Sequence, residues 1–426
     1  MIFEKMKEPE TKAAFLEKRL SAVNSNPAEV RLMAEYIWTE RFDADLQRLM
    51  DGDFFFDPPN LILLRKGQSN RKRKVYRFSD ENKTILQYLT YMLMEQYDER
   101  FPDSLYSFRK NRPTGTLYTE IRRCDPNREK YVVKADIHSF GESIDTDILS
   151  GKLRDWFADE PQVCSFLIWL VTRNVFYRNG SLETGFTSVM PGNPTVAFLQ
   201  NIYLLDVDLY LKENALVSSR YTDDICAIVD DAESAERIMR RIREIAKMLK
   251  LTINEEKTGI IPPGMDYDLL GIKFAPGYTD ISDNTYRKVT SRIRHRANRI
   301  GWKVKNGVIL RDTGLAWMAA AIQRYFGGTG KDGYVSWMDK FFPYITSIDR
   351  LKRLDRLSQE SLRYVATGRR TNAKFRFRYH EIRSLGYVPL VREYYERCEA
   401  SGSPRRKKQS LPDKSNQNDS VIPEKE

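Results

Sequence analysis

Asp136 lies near the end of a short apolar run, Tyr131–Ile137, and a second acidic feature, Tyr221-Thr222-Asp223-Asp224, lies between two β-like runs, Arg220–Thr222 and Ile225–Val229. Taken alone, the first reads as a strand-end Asp capping a turn and the second as a solvated hairpin turn. Together they allow more. If the hairpin tip lies beside the strand carrying Asp136, three carboxylates converge. Such a cluster repels itself unless a cation neutralises it. Mg²⁺ suits it, because that ion takes hard oxygen ligands and keeps positions open for phosphates. Two ions about 4 Å apart would activate an attacking hydroxyl and stabilise a departing pyrophosphate. Neighbouring strand residues point opposite ways, so Asp223 is assigned as a direct ligand and Asp224 as a ligand or its support.

The surrounding pattern must position these groups. Helical spacing predicts one helix over 28–50, started by Asn26-Pro27, and another over 82–97. The basic stretch 61–78 alternates and predicts a hairpin. A long buried helix is expected over 194–213, an amphipathic helix over Glu233–Leu251 and a short strand over Leu269–Phe274. From about 286 the chain turns basic and helical. Tyr286–Lys305 carries eight Lys or Arg and no Asp or Glu. Such a helix can track a phosphate backbone, with Arg292, Arg296 and Lys303 as its contacts and Trp302 as a stacking surface. Arg369–Tyr379, including Arg376, interleaves basic and aromatic residues. The segment after Ser401 has almost nothing apolar and is expected to be disordered.

The chain has 426 residues, 41% of them hydrophobic, with a formal net charge of +11. That length implies more than one packed unit, and that charge favours a polyanionic partner. Cys124, Cys164, Cys226 and Cys398 form no CxxC pair, and three scattered histidines build no metal spacing. A zinc site or a disulfide framework is therefore not expected. With no signal-like start and no long apolar run, the expectation is a soluble cytoplasmic protein without a membrane partner.

The order of the motifs resembles bacterial reverse transcriptases, the group holding group II intron, retron and defence-associated enzymes. Tyr106–Arg112 (YSFRKNR) resembles a fingers motif. Asp136-Ile137-His138-Ser139-Phe140 with Ser143-Ile144-Asp145 resembles the first palm motif. Pro191-Gly192-Asn193-Pro194 through Asn201–Leu204 resembles the second. Tyr221–Asp224 matches the YxDD box, Leu251–Thr258 resembles L-x-x-N-x-x-K-T, and Leu269–Ile272 resembles a primer-grip turn. The resemblance implies an α+β right-hand polymerase, with fingers and palm built of antiparallel sheet plus helices, followed by an α-helical thumb. The implied metal site is Asp136, Ile137, Asp223 and Asp224, holding two Mg²⁺. Lys257 would protonate pyrophosphate, while Asn254 and Thr258 shape its loop. Lys66 and Arg73 would grip the triphosphate. Gly141, Gly192 and Tyr221 would lie along the substrate, with Gly192 letting backbone pass close under the templating base pair. Arg109 and Arg112 would touch nucleic acid.

The chain also departs from the family. The second palm motif lacks the usual Gln and Ser-Pro pair. Gly141 replaces an aromatic residue that clashes with a ribose 2′-OH, leaving Phe140 as the nearest aromatic to take over. Glu142 replaces an Asp. The expected organisation is a helical extension (1–60), fingers and palm (61–285), a thumb and RNA-binding region (286–400) and a tail (401–426). With neither a zinc cluster nor a nuclease pattern in sight, the resemblance implies a compact enzyme. It would copy a structured non-coding RNA from dNTPs into a nascent cDNA, in antiphage defence. The alternatives are template-independent or ribonucleotide-incorporating synthesis on the same palm, and an idle maturase-like RNA-binding scaffold. Oligomeric state is left open.

Overall fold

A computed structural model describes residues 1–22, 25–65, 72–109, 111–328 and 336–400. Lys66 and the tail from 401 lie outside the described residues. Two compact units emerge. One comprises Met1–Thr285 with Gly328–Ser336 and Tyr344–Ser347; the other comprises Tyr286–Gly327, Trp337–Pro343 and the chain from Ile348.

The first unit is organised by a four-stranded antiparallel sheet, in the spatial order Val217–Tyr221, Asp224–Val229, Tyr131–Asp136, Gly259–Ile261. Alternation divides its two faces. Val133, Ala135 and Ile137 join Ile225, Ala227 and Val229 in the main core. The helix Ala232–Met248 adds Ile238, Ile242 and Ile245 to that core. Burying each such side chain contributes about 1.5–3 kcal/mol. The residues between them, Lys134 and Asp136, therefore belong to the opposite face.

A second sheet runs Lys72–Arg77, Asn60–Arg65, Val175–Arg178, Ser181–Thr184. The basic stretch is the expected hairpin, and Tyr76, Phe176 and Met190 form its own small core. A third sheet holds Tyr267–Leu269, Ile272–Ala275 and Tyr278–Ile281. Its first turn, Leu270 (φ 46°) and Gly271 (φ 98°), interrupts the single strand expected over Leu269–Phe274. Two successive positive φ values are what a tight hairpin turn of this hand requires.

Two expected helices are also divided. Thr39 ends the run expected over 28–50: its hydroxyl accepts from the Phe42 amide at 3.3 Å and starts a new helix, Glu40–Met50, after Pro27–Ile37. The run over 194–213 breaks at Leu204 into Val196–Tyr203 and Leu205–Asn214. The Tyr203 hydroxyl, next to the break, accepts from the Asp145 amide (3.2 Å) and donates to the Leu249 carbonyl (2.7 Å).

The second unit is helical. Asp283–Lys305 leads into it, followed by Arg311–Gly327, Asp349–Thr367 and Leu390–Ala400. Small residues allow close packing. A Cβ on Gly301 would come within 2.6 Å of the Tyr364 ring, and one on Gly314 within 2.5 Å of Val304. Buried Asp355 accepts from the Tyr387 hydroxyl (2.7 Å) and from the amides of Leu390 (2.7 Å) and Val391 (3.1 Å), satisfying the start of the last helix. No described helix is long and apolar enough to cross a membrane.

Candidate active site

Asp136 is the last residue of its strand and pairs directly with Asp224 on the neighbouring one. Directly opposed residues of an antiparallel pair carry their side chains on one face. Here it is the face turned away from the core. Tyr221 pairs with Asp224, which leaves Thr222-Asp223 as a two-residue turn with Thr222 at φ 60°. The Ile137 amide donates to the Asp223 carbonyl at 3.4 Å, so the turn is stitched to the strand that carries Asp136.

The segment Leu251–Thr258 clamps Asp136. The Asn254 side chain donates to Oδ2 (2.9 Å), and Lys257 Nζ donates to both carboxylate oxygens (3.1 Å each). The Asp136 amide donates to Thr258 Oγ1 (3.1 Å), and the Asn254 amide donates to the Asp136 carbonyl (2.8 Å). On the same face, Lys134 Nζ stands 3.8 Å from Asp224 Oδ1 and donates to the Asp268 carbonyl at 2.7 Å. Burial raises the Asp224 pKa; Lys134 opposes this, while the charges of Asp136 and Asp223 add to it.

Among the described residues, no three His, Cys, Asp or Glu side chains gather closely enough to hold a metal ion. The convergence expected of three carboxylates is thus met in the backbone but not in the side chains. Two lysines supply positive charge there: Lys257 at Asp136 and Lys134 near Asp224. The donor chemistry suits a hard divalent cation: two carboxylates on one face, a third at the adjoining turn, and an ammonium lying where positive charge is required at Asp136. Ile137, also assigned to the metal, has a buried side chain and could offer only its backbone carbonyl.

The other predicted residues scatter. Gly192 has φ 108°, and a Cβ there would meet the Tyr76 carbonyl at 2.5 Å. The Tyr76 amide donates to the Pro191 carbonyl at 2.7 Å. The close approach that Gly192 permits is therefore to the hairpin strand. Gly141 has room, since a Cβ would meet only Gln200 Nε2, at an ordinary 3.5 Å. Phe140 is buried beside Tyr203 (ring centroids 6.4 Å), so it does not replace the missing aromatic. Arg73 is exposed on its strand.

Arg109 is not an available cation. Its guanidinium donates to the Asp98 carboxylate (2.8 Å) and to the carbonyls of Asp98 (2.8 Å) and Pro102 (2.7 Å). Arg112 donates to the Asp103 carbonyl and lies over the Tyr106 ring. In the helical unit, Arg296, Lys303, Arg299 and Arg324 line a groove of about 310 Å³ beside Trp317, with Lys303 over that ring. Arg292 lies over Tyr325, and Arg376 is exposed.

Residues 65–274 match the family model described as reverse transcriptase (RNA-dependent DNA polymerase). Over these residues the chain is similar to reverse transcriptases. The group II intron-encoded protein LtrA of Lactococcus lactis subsp. cremoris is 24% identical over 229 residues, 52% of this chain and 36% of that protein. The same protein from strain MG1363 matches equally. The chain thus spans about a third of the length of the curated relatives it matches. A solved structure, apo telomerase from Candida Tropicalis truncated from its C-terminal domain, aligns with a TM-score of 0.43 at 10% identity, covering 53% of this chain and 55% of that one. Within residues 65–274, the motifs around Asp136 and Asp223 fall on the central sheet, and Leu269–Ile272 falls on the third sheet. The antiparallel sheets and helices of the first unit and the helices of the second agree with the expected α+β class.

Sequence reasoning missed two supports of this site. Lys134 was legible in principle: it precedes Asp136 by two in one strand and so shares its face. Arg220 carried no signal. It is fully buried, paired with Asp208 (2.8 and 2.5 Å), and it donates to the carbonyls of Asn201 (3.1 Å) and of Thr222 in the turn (3.1 Å).

Proposed function

We propose that the protein is an RNA-directed DNA polymerase that extends a primer with dNTPs along a structured non-coding RNA. The observation that carries this reading is the direct pairing of Asp136 with Asp224 beside the Thr222-Asp223 turn. Asp136, Asp223 and Asp224, with the Ile137 carbonyl, would hold Mg²⁺. Those ions would supply activation of the primer hydroxyl and charge stabilisation at the phosphates. Asn254 and Thr258 fix the Asp136 carboxylate and its backbone. Lys257, which pairs with Asp136, would donate a proton to the departing pyrophosphate. Arg73 and Lys66 would meet the triphosphate. The groove between Arg296, Lys303 and Arg324 would take the phosphate backbone of the template–primer duplex. The motif resemblance to defence-associated enzymes supports a role in antiphage defence.

The test is to sequence RNA and DNA that co-purify with the wild type and with an Asp223→Ala, Asp224→Ala double variant. A defined RNA in both, with complementary DNA only in the wild type, is expected. RNA in both without DNA in either would overturn the polymerase reading in favour of a scaffold.

The space at Gly141, with Phe140 buried, favours a second reading in which ribonucleotides are also accepted. Comparable kcat/KM for rNTPs and dNTPs would support it, and a dNTP preference above about a hundredfold would reject it.

A further inference from the structure

Gln200 carries a buried amide that the fold does not use. It lies on the helix Val196–Tyr203 and is only 7% exposed. Its neighbour Asn201 exchanges two hydrogen bonds with Ser107 (3.0 and 3.1 Å). Among the described residues, the Gln200 side chain has no hydrogen-bond partner. A buried amide without a partner costs stability, which points to a partner that the chain itself does not supply.

The surroundings of the amide suggest that partner. The turn Phe140–Glu142 follows the strand that ends at Asp136. A Cβ built on Gly141, in that turn, would have Gln200 Nε2 at 3.5 Å and no other described atom beyond its chain neighbours within 4 Å. Glycine therefore leaves a gap with an amide as its wall. The turn also lies near the basic hairpin: burial, and then the charge of Glu142, raise the pKa of Tyr76, on the strand that carries Arg73. A nucleotide whose phosphates lie between Asp136 and Arg73 carries its sugar past this turn. In the enzymes that the chain resembles, bulk at position 141 clashes with the ribose 2′-hydroxyl, so the gap lies where that hydroxyl would enter. Here the hydroxyl meets no bulk, and it can accept from Nε2 or donate to Oε1. A deoxyribose brings no such group and leaves the amide unpaired.

We propose that Gln200 is a specificity-determining residue that hydrogen-bonds the 2′-hydroxyl of the incoming nucleotide, in the space left by Gly141, and so admits ribonucleotides to this site. The inference rests on the polymerase reading above and assigns a residue to its ribonucleotide-accepting form. Its test compares ATP with dATP on the full chain bound to a primer–template. Gln200→Leu and Gln200→Met replace an unpaired amide with apolar groups of similar size, so thermal stability should be unchanged or raised. Both variants should lower kcat/KM for ATP about tenfold, the scale of one lost hydrogen bond, with dATP changed less than about twofold. Equilibrium dialysis of the two nucleotides, on a complex whose primer lacks its 3′-hydroxyl, should show the same split in Kd. A wild type that extends with dATP and excludes ATP, or equal effects of the variants on both nucleotides, would overturn the role of Gln200 and leave the polymerase standing. A marked fall in melting temperature in both variants would assign the amide to the fold and overturn it as well. A wild type that extends with neither nucleotide would overturn the polymerase reading, and the dialysis comparison would still decide whether Gln200 reads the sugar.

Discussion

At Asp136 the chemistry and the architecture meet in one carboxylate. Its oxygens are held by Asn254 and Lys257, and its strand partner is Asp224. Asp223 sits instead in a two-residue turn, and the turn's backbone bonds do not depend on its side chain. Asp223→Ala should therefore keep the fold and lower the extension rate about a thousandfold, the scale of losing a several-kcal/mol metal contribution. A variant with unchanged melting temperature and an undiminished single-turnover rate would remove Asp223 from the site. Gly192 makes the opposite case. Its φ of 108° and the 2.5 Å approach to the Tyr76 carbonyl leave no place for a methyl group. Gly192→Ala should cost about 2 kcal/mol in urea denaturation, because both strain and a backbone clash must be relieved. The need for glycine was legible in the sequence, but the partner was not. A motif shows that backbone must come close to something, and only the fold shows that the neighbour is the hairpin strand.

Among the elements, the helix Thr146–Trp156 shows how a cap couples the active-site region to pH. Asp145 accepts from the amides of Asp147 and Ile148 (3.0 Å each) and from Lys250 Nζ (2.6 Å). The Lys250 ammonium first, and then the Ile148 amide, hold this carboxyl below the usual carboxylate range. A depressed folded-state value means that the stabilisation is present above the unfolded value, about 3.9, and is lost as pH falls through the folded one. Asp145→Asn keeps a capping oxygen and removes the titration. Urea unfolding at a series of pH values below about 4 should then show a shallower acid limb than wild type; identical limbs would exclude Asp145 as its source. The same scale explains which elements could be read in advance. Strong periodicity located the strand at Asp136, the basic hairpin and the helix Ala232–Met248. Breaks inside periodic runs were hidden, because one hydroxyl at Thr39 or one turn at Leu204 leaves the apolar spacing nearly intact. The strands Val175–Arg178 and Ser181–Thr184 were missed because each is only four residues long, too short for alternation to register.

For the molecule as a whole, the net charge of +11 is spread unevenly, and that bears on binding. The helix from Asp283 to Lys305 turns Arg296, Arg299 and Lys303 toward the groove shared with Arg324 and Trp317. Among the described residues, none of these four cations has a carboxylate within ion-pair distance, whereas Arg109 and Arg220 are locked in buried pairs. Sequence alone ranks all basic residues alike. Burial and pairing separate those that hold the fold from those left to meet a polyanion. If the groove contacts phosphates, each cation removed should release about one fewer counterion on binding. The double variant Arg296→Gln, Lys303→Gln should lower the slope of log K against log salt by roughly 1.4–1.8 and weaken binding of unrelated sequences by a similar factor. Arg109→Gln should instead leave the slope unchanged and reduce stability, because it leaves Asp98 without its partner. Filter binding of an RNA–DNA duplex between about 50 and 200 mM salt distinguishes the two. A slope change in Arg109→Gln equal to that of the groove variant would mean that charge acts through the whole surface, and that the groove has no privileged part in holding the duplex.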